Sequence, residues 1–369
     1  MAPRSPTRAA CAPATAPCHT TVLYIAKLYW SGRRFPGNRG AHPRHLYSPP
    51  RTAKRDTQSF HRRSSGTERN DMVATIEDLH ADVLACALRR LDGRSLAAAS
   101  CATAGLRALA ADPDTWRALC LAEWPSLAAQ HWLLSAVPPR RLFADASPFP
   151  CPDAGEPGAG GLPARLVSAV DVYCRGAPVL SRVAETPASS PWFLSSPFRV
   201  DAVDCKKPAP VAAAFSPAEL ELSWVVVDPA RGRAVNVSSR RAVALGRHWY
   251  TGETLVRFAV VLGGCNFETT VACSEEAGHV SEVSLAVENA DGAAVSGEGA
   301  LRLLASAMEG PRRGGERERE EAKARYEVFV KSKKGRKESK ARREVLVDLC
   351  CSAASAVAVM AFFATVVLR

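Results

Sequence analysis

Twelve cysteines, at positions 11, 18, 86, 101, 120, 151, 174, 205, 265, 273, 350 and 351, are the residues best equipped for chemistry in this 369-residue chain. As thiolates they would bind zinc or attack an electrophile. Their spacing supports neither role, because no pair stands as C-x-x-C and no Cys/His set has zinc-ligand spacing. They are sprinkled over too long a chain for a disulfide scaffold and read as free thiols of a reducing compartment. Cys265 and Cys273 are placed to meet across a hairpin but are read as buried thiols. His248 and His279 lack an acid at motif spacing and read as surface or cavity histidines. There is no G-x-S-x-G elbow, no P-loop and no G-x-G-x-x-G after a strand. Asn236-Val237-Ser238 matches a glycosylation sequon, which is silent in a cytosolic chain. With no acid/base or nucleophile set in view, the chain reads as a binding protein rather than an enzyme, with no cofactor and no metal.

What remains is to find the elements that bind. The formal net charge of +11 suggests a nucleic-acid protein until it is located. Of 48 Lys and Arg, 13 fall in residues 1–71 against 3 acids, so the remainder carries 35 bases and 34 acids. That balance argues against a basic domain gripping phosphates, and no nucleic-acid partner is expected. A hydrophobic share of 47% and a charged share of 23% are those of soluble domains. Residues 1–71 are rich in Arg, Pro, Ser and Thr and read as a disordered basic extension. They resemble a transit peptide in composition, but no sustained amphipathic helix runs through them, and Met72 opens the first well-patterned segment.

From Leu79 to Trp124 the pattern is helical. Leu79, Val83, Leu84, Leu88 and Leu91 share one helix face. Asp92-Gly93 is a stop, and Ser95 is placed to cap a second helix through Leu96, Ala99 and Ala102. Gly105 reads as a break before Leu106 and Leu109, and Asp112-Pro113 as an N-cap with proline at the first helical position ahead of Trp116 and Leu119. So small a module is marginal by itself and reads as a docking unit.

These residues resemble the F-box. The resemblance is carried by the strings Asp78–Leu84, Leu88–Leu91, Ser95–Cys101, Leu106–Leu109 and the closing Asp112-Pro113-Asp114-Thr115-Trp116-Arg117-Ala118-Leu119. His80 stands where the family usually has Pro, and Gly105-Leu106 replaces the common Arg-Trp. Leu121–Leu127, Leu222–Pro229 and Arg247–Glu253 extend the resemblance toward a plant subgroup. It implies that the module docks on a Skp-type adaptor and through it on a cullin, so that the chain presents an unknown protein substrate for ubiquitination. The residues it marks for the module's core or for the adaptor are Leu79, Asp82, Val83, Leu84, Leu88, Leu91, Ser95, Leu96, Cys101, Leu106, Leu109, Asp112, Pro113, Trp116 and Leu119. The rival is a membrane-tethered β-sandwich that binds carbohydrate or lipid and whose F-box serves no ligase.

Residues 129–163 carry Pro138-Pro139, Pro148, Pro150, Pro152 and a Gly-rich stretch, and read as a linker with some order near Arg141-Leu142-Phe143. From Leu166 to Leu304 eight segments read as strands, with turn signals such as Asp228-Pro229, Gly263-Gly264 and Asp291-Gly292 between them. Leu220, Leu222, Trp224 and Val226 alternate with Glu219, Glu221, Ser223 and Val225 like a half-buried strand. One helix is expected, over Gly299 to Met308. An antiparallel β-sandwich or jelly-roll follows. Arg247-His248-Trp249-Tyr250, together with Trp192, is a candidate substrate-recognition rim, since Trp, Tyr and Arg are enriched at binding hot spots.

Leu349 to Leu368 is a 20-residue run without a charge, enough to cross a bilayer core. Upstream, Lys331 to Arg343 holds eight Lys and Arg against one Glu, which by the positive-inside rule keeps the bulk of the chain cytosolic. This reads as a tail anchor at the cytosolic face of a membrane, with Cys350-Cys351 as palmitoylation candidates; a nuclear-import signal is the other use for such a basic run. The expected fold class is thus α+β and multidomain: extension 1–71, F-box 72–128, linker 129–163, β-rich recognition domain 164–309, charged and net basic segment 310–344 and transmembrane helix 345–369.

Overall fold

The first four short helices each start where a side chain takes one or more of the orphan amides. The computed structural model describes residues 79–147, 149–151, 161–204, 209–210, 215–274, 278–313 and 317–369, so the expectations for 1–71 and Met72 lie outside it. Helix α1 spans Ala81–Leu88, and His80 Nδ1 accepts the Asp82 amide at 3.4 Å. Helix α2 spans Gly93–Ala99, and its cap is Asp92 rather than Ser95. One carboxylate oxygen takes the Arg94 and Ser95 amides at 3.0 Å each, and the Ser95 hydroxyl donates to the other at 2.7 Å. Helix α3, Ala104–Leu109, is capped by Thr103. Gly105 therefore lies inside a helix instead of breaking one; the break is the turn before Thr103. Helix α4, Pro113–Glu123, begins as expected, with Asp112 as cap and Pro113 in the first turn.

The helical part does not end there. After a 3₁₀ segment, Pro125–Ala129, come α5, His131–Ala136, and α6, Pro139–Ala146. The stretch read as a linker thus holds two helices. Pro139 opens α6, where a missing N–H costs nothing, and Leu133, Leu134, Val137, Leu142 and Phe143 are buried. Phe143 closes the module, its ring 5.5 Å from Trp116 and 5.6 Å from Trp124. Gly93 lets it in, because a Cβ there would stand 2.2 Å from the Phe143 ring.

The strands in chain order are β1 Phe149–Pro150, β2 Leu166–Cys174, β3 Ala177–Thr186, β4 Arg199–Val203, β5 Ala209–Pro210, β6 Leu220–Asp228, β7 Arg233–Asn236, β8 Arg240–Arg241, β9 Ala244–Arg247, β10 Thr254–Leu262, β11 Cys265–Ser274, β12 His279–Glu288 and β13 Arg312–Arg313. Between β3 and β4 lies the short helix α7, Pro191–Ser195; α8, Gly297–Glu309, follows β12. The first sheet runs β3-β2-β6-β7 with β8 on β6, and the second runs β4-β12-β11-β10-β9 with β5 on β12; every pairing is antiparallel. The β10–β11 hairpin closes through Gly263-Gly264, both at positive φ as its two-residue turn requires. Cys265 and Cys273 sit at opposite ends of the same strand, so they do not face each other across a hairpin.

Facing side chains of the two sheets share one core. Val170, Leu222 and Trp224 from the first sheet meet Val256, Phe258, Phe267 and Leu285 from the second, with Leu301 and Leu304 of α8. The other face of the first sheet is equally buried. Val167, Ala169, Val225, Val227 and Ala234 pack into the helical core with Trp116, Trp124, Leu133 and Phe143. Polar contacts stitch the same seam: Trp124 Nε1 donates to Ser223 Oγ at 2.9 Å, and Asp171 accepts the Ser126 amide at 2.9 Å and its hydroxyl at 2.6 Å. Arg233 pairs with buried Asp145 of α6 at 2.8 Å. Hence β6 is not half-buried. It serves two cores, and Ser223 faces the indole of Trp124 rather than water. The sequon Asn236 is buried too, donating its amide to Ser223 Oγ at 3.1 Å.

The outer face of the second sheet is covered by α9, a single helix over Arg317–Val367. Tyr326 packs on Val243 and Ala259, and its hydroxyl lies 3.5 Å from Glu268. Lys333 pairs with Glu288 at 2.5 Å and Arg336 with Asp291 at 3.1 Å. The helix therefore crosses the sheet obliquely and leaves it at the Glu288 end. The basic segment and the apolar run, read as two pieces, are one continuous helix. From Glu338 onward every side chain is exposed, and the last stretch is long and apolar enough to cross a membrane by length and composition.

Candidate adaptor-binding surface and recognition edge

The helical module sorts its expected site residues into two groups. Leu88, Leu96, Leu106 and Trp116 are buried in its core, and the Trp116 indole donates to the Ala110 carbonyl at 2.7 Å. Leu79 and Val83 point outward, 51% and 56% exposed, although both are large and apolar. Leu84, Leu91, Leu109 and Leu119 are half-buried. Burial of this kind costs nothing when a partner completes it, whereas exposed leucine and valine gain about 1.5–3 kcal/mol each on full burial. A groove of about 210 Å³ opens on the same module between Ala85, Leu88, Leu96, Ala108, Leu109 and Thr115.

The polar members hold the helices in place. Asp112 caps α4 and takes the Thr115 hydroxyl at 2.6 Å, with Arg89 at 3.6 Å. The Thr115 hydrogen bond, together with the Asp114 amide and the Arg89 charge, keeps the Asp112 carboxyl below its ordinary value despite slight burial. Ser95 is tied to Asp92, Cys101 is exposed with its Sγ 3.5 Å from the Ala97 carbonyl, and Asp82 and Pro113 are exposed. Cys120, by contrast, lies in the core, where burial pushes its thiol up to about 12 and makes it inert.

The second candidate region forms only in part. Arg247, His248, Trp249 and Tyr250 do come together, in the turn that joins β9 to β10. The His248 amide donates to the Glu253 carbonyl at 2.8 Å, and the Thr251 amide to His248 Nδ1 at 3.2 Å. Trp249 is 90% exposed and Tyr250 81%, with ring centroids 5.6 Å apart. Trp192, on α7, is exposed but does not join them. Arg247 pairs with Thr254 at one end of the second sheet, whereas Arg199, which opens β4 just after α7, pairs with Ala286 toward the other end. The two also flank opposite edges, so no common rim exists.

Beside the turn lies a feature the sequence did not show. A groove of about 560 Å³ runs between the start of β6 and β9, lined by Ala218–Glu221, Arg241–Leu245 and Lys323 of α9. Its residues are far apart in sequence, and β9 is a four-residue strand interrupted by Gly246, too short to register as alternation. Among the described residues no group of three His, Cys, Asp or Glu is placed to hold a metal ion.

Comparison with known proteins points one way. The probable F-box protein At2g36090 of Arabidopsis thaliana is 36% identical over 301 residues, covering 78% of this chain and 90% of that protein. The F-box protein At2g27310 of the same plant is 33% identical over 310 residues, covering 75% of this chain and 92% of that protein. The F-box protein GID2 of Oryza sativa subsp. japonica is 42% identical over 62 residues, 17% of this chain. No family model and no solved structure matches.

Proposed function

The chain belongs to the plant F-box proteins, and on that footing we propose that it is a non-catalytic substrate receptor of a Skp/cullin/F-box ubiquitin ligase. The helical module docks on the Skp-type adaptor, and the β body, read as a sandwich because its two sheets share one core, carries the substrate. Such a subunit makes and breaks no bond. It raises the effective concentration of a substrate lysine near the charged ubiquitin carrier.

The observation that carries this reading is the pair Leu79 and Val83, large apolar side chains left outside the module's own core. They are the residues a partner would bury, whereas Leu88, Leu96 and Trp116 serve the fold. The apolar half of α9 is read as a membrane anchor. Its basic approach, Lys331 to Arg343, favours the cytosolic side and an anionic lipid surface.

Full-length protein in detergent, titrated with a plant Skp-type adaptor, tests the receptor role. Leu79→Asp and Val83→Asp each weaken binding by about 30-fold, a hot-spot loss of roughly 2 kcal/mol, with the thermal midpoint unchanged. A folded protein that does not bind the adaptor removes the ligase reading and leaves the tethered binding module.

A further inference from the structure

Among the described residues, strand β9 is the last strand of its sheet, with β10 as its one neighbour. The bond from the His248 amide to the Glu253 carbonyl fixes the phase of the ladder. In an antiparallel pair the residues that exchange hydrogen bonds alternate with those that do not. Gly246 and Ala244 are therefore the bonded positions, and Leu245 and Arg247 turn their N–H and C=O groups to the open side. Natural proteins blunt such edges with proline, a bulge or a covering element. Ala244–Arg247 contains no proline and pairs with β10 without a shift; the bulge-like irregularity, where the Val243 amide reaches the Arg257 carbonyl at 2.8 Å, lies just ahead of it, and Leu245, Gly246 and Arg247 are all exposed.

We propose that this edge is a strand-addition site that takes an extended, carboxylate-bearing segment of a protein partner. Three observations select that occupant. Outward N–H and C=O groups recurring every second residue, about 7 Å apart, are matched by another extended backbone. The surroundings carry exposed cations at Arg241, Arg247 and Lys323, while Glu219 is already held by Arg175 at 2.8 Å and leaves Glu221 as the groove's other carboxylate. The aromatic turn of Trp249 and Tyr250 stands at the end of the second sheet opposite the one where α9 departs. Nine residues of β10 separate the two ends, about 30 Å, so a membrane holding α9 would lie away from it. The inference deepens the receptor reading by naming the class of substrate segment, and it rests on that reading only for the fate of the captured protein.

The test uses the full-length chain in detergent and a phage-displayed library of random dodecapeptides. Peptides rich in Asp and Glu are enriched, and their affinity falls as salt rises. Methylating alternate backbone nitrogens of a selected peptide weakens binding tenfold or more, while methylating the intervening ones does not. Trp249→Ala and Lys323→Glu weaken it as well, and Leu245→Pro removes one outward N–H. Adaptor binding by these three variants is unchanged, which separates this site from the helical module. Absence of enrichment, or enriched peptides indifferent to backbone methylation, overturns the proposal.

Discussion

Gly93 and Phe143 lie 50 positions apart and depend on each other. A valine at position 93 would have to displace the aromatic ring that seals Trp116 and Trp124. Gly93→Val is expected to destabilise the protein by about 1–3 kcal/mol, read as a lower urea midpoint with an unchanged slope. In sequence the same glycine is part of an Asp-Gly stop signal, because local spacing records turns and cannot record which ring will approach. The caps were legible for the same local reason. Asp112 with Pro113 needed nothing beyond its neighbours, and the error over Ser95 is one of register between two polar residues three apart. Leu79 and Val83 show the complementary limit. Their spacing reads as one helix face with Leu84, Leu88 and Leu91, yet α1 spans only Ala81–Leu88. Leu79 lies ahead of it and Leu91 beyond it, and only the packed module shows which of these apolar residues it leaves uncovered.

At the level of elements, apolar runs between turn signals located eight strands, and period-two alternation failed where a strand has two buried faces. Ser223 and Val225 on β6 look like a solvent side until helices α4 to α6 cover them. The same happens under α9. Glu268 on β11 lies beneath Tyr326, and burial raises its carboxyl above the ordinary 4.5; the nearby Glu288 charge adds to this, while Arg257, Asn266 and Lys333 pull the other way. A group that binds its proton more tightly in the folded state stabilises below its unfolded value and loses that contribution as pH rises through the raised one. Glu268→Gln is therefore expected to flatten the decline of stability as pH rises above the ordinary 4.5, checked by urea midpoints at a series of pH values. An unaltered slope would show that Glu268 is not the group responsible. The charge run before the apolar segment was legible, but its docking on the sheet was not, since Ala322, Tyr326, Phe329 and Lys333 recur at helical spacing among many exposed charges.

At the level of the whole molecule, the helical module and the β body have one continuous buried seam, from Trp124 and Ser126 to Ser223 and Asp171. Unfolding is expected to be a single transition, with tryptophan fluorescence and far-ultraviolet dichroism superimposing against denaturant. Two separated transitions would mean that the helices detach first. The proposed membrane anchor is tested at this scale as well: full-length protein is expected to float with vesicles containing anionic lipid on a density gradient, and a chain ending at Glu344 to stay at the bottom. Flotation of the shortened chain would place the lipid contact elsewhere.

The double duty of β6 also restricts how such a chain can diversify. A receptor built from independent modules changes its specificity by exchanging one of them for a relative's. Here an exchange at residue 128 would strip the cover from Val167, Ala169, Val225, Val227 and Ala234 and leave an adhesive β surface in the recipient. For the receptor proposed here, module exchange between distant genes is thereby disfavoured as a route to new targets. Variation is left to the loops and edges that neither core uses, among them the turn that carries Trp249 and Tyr250.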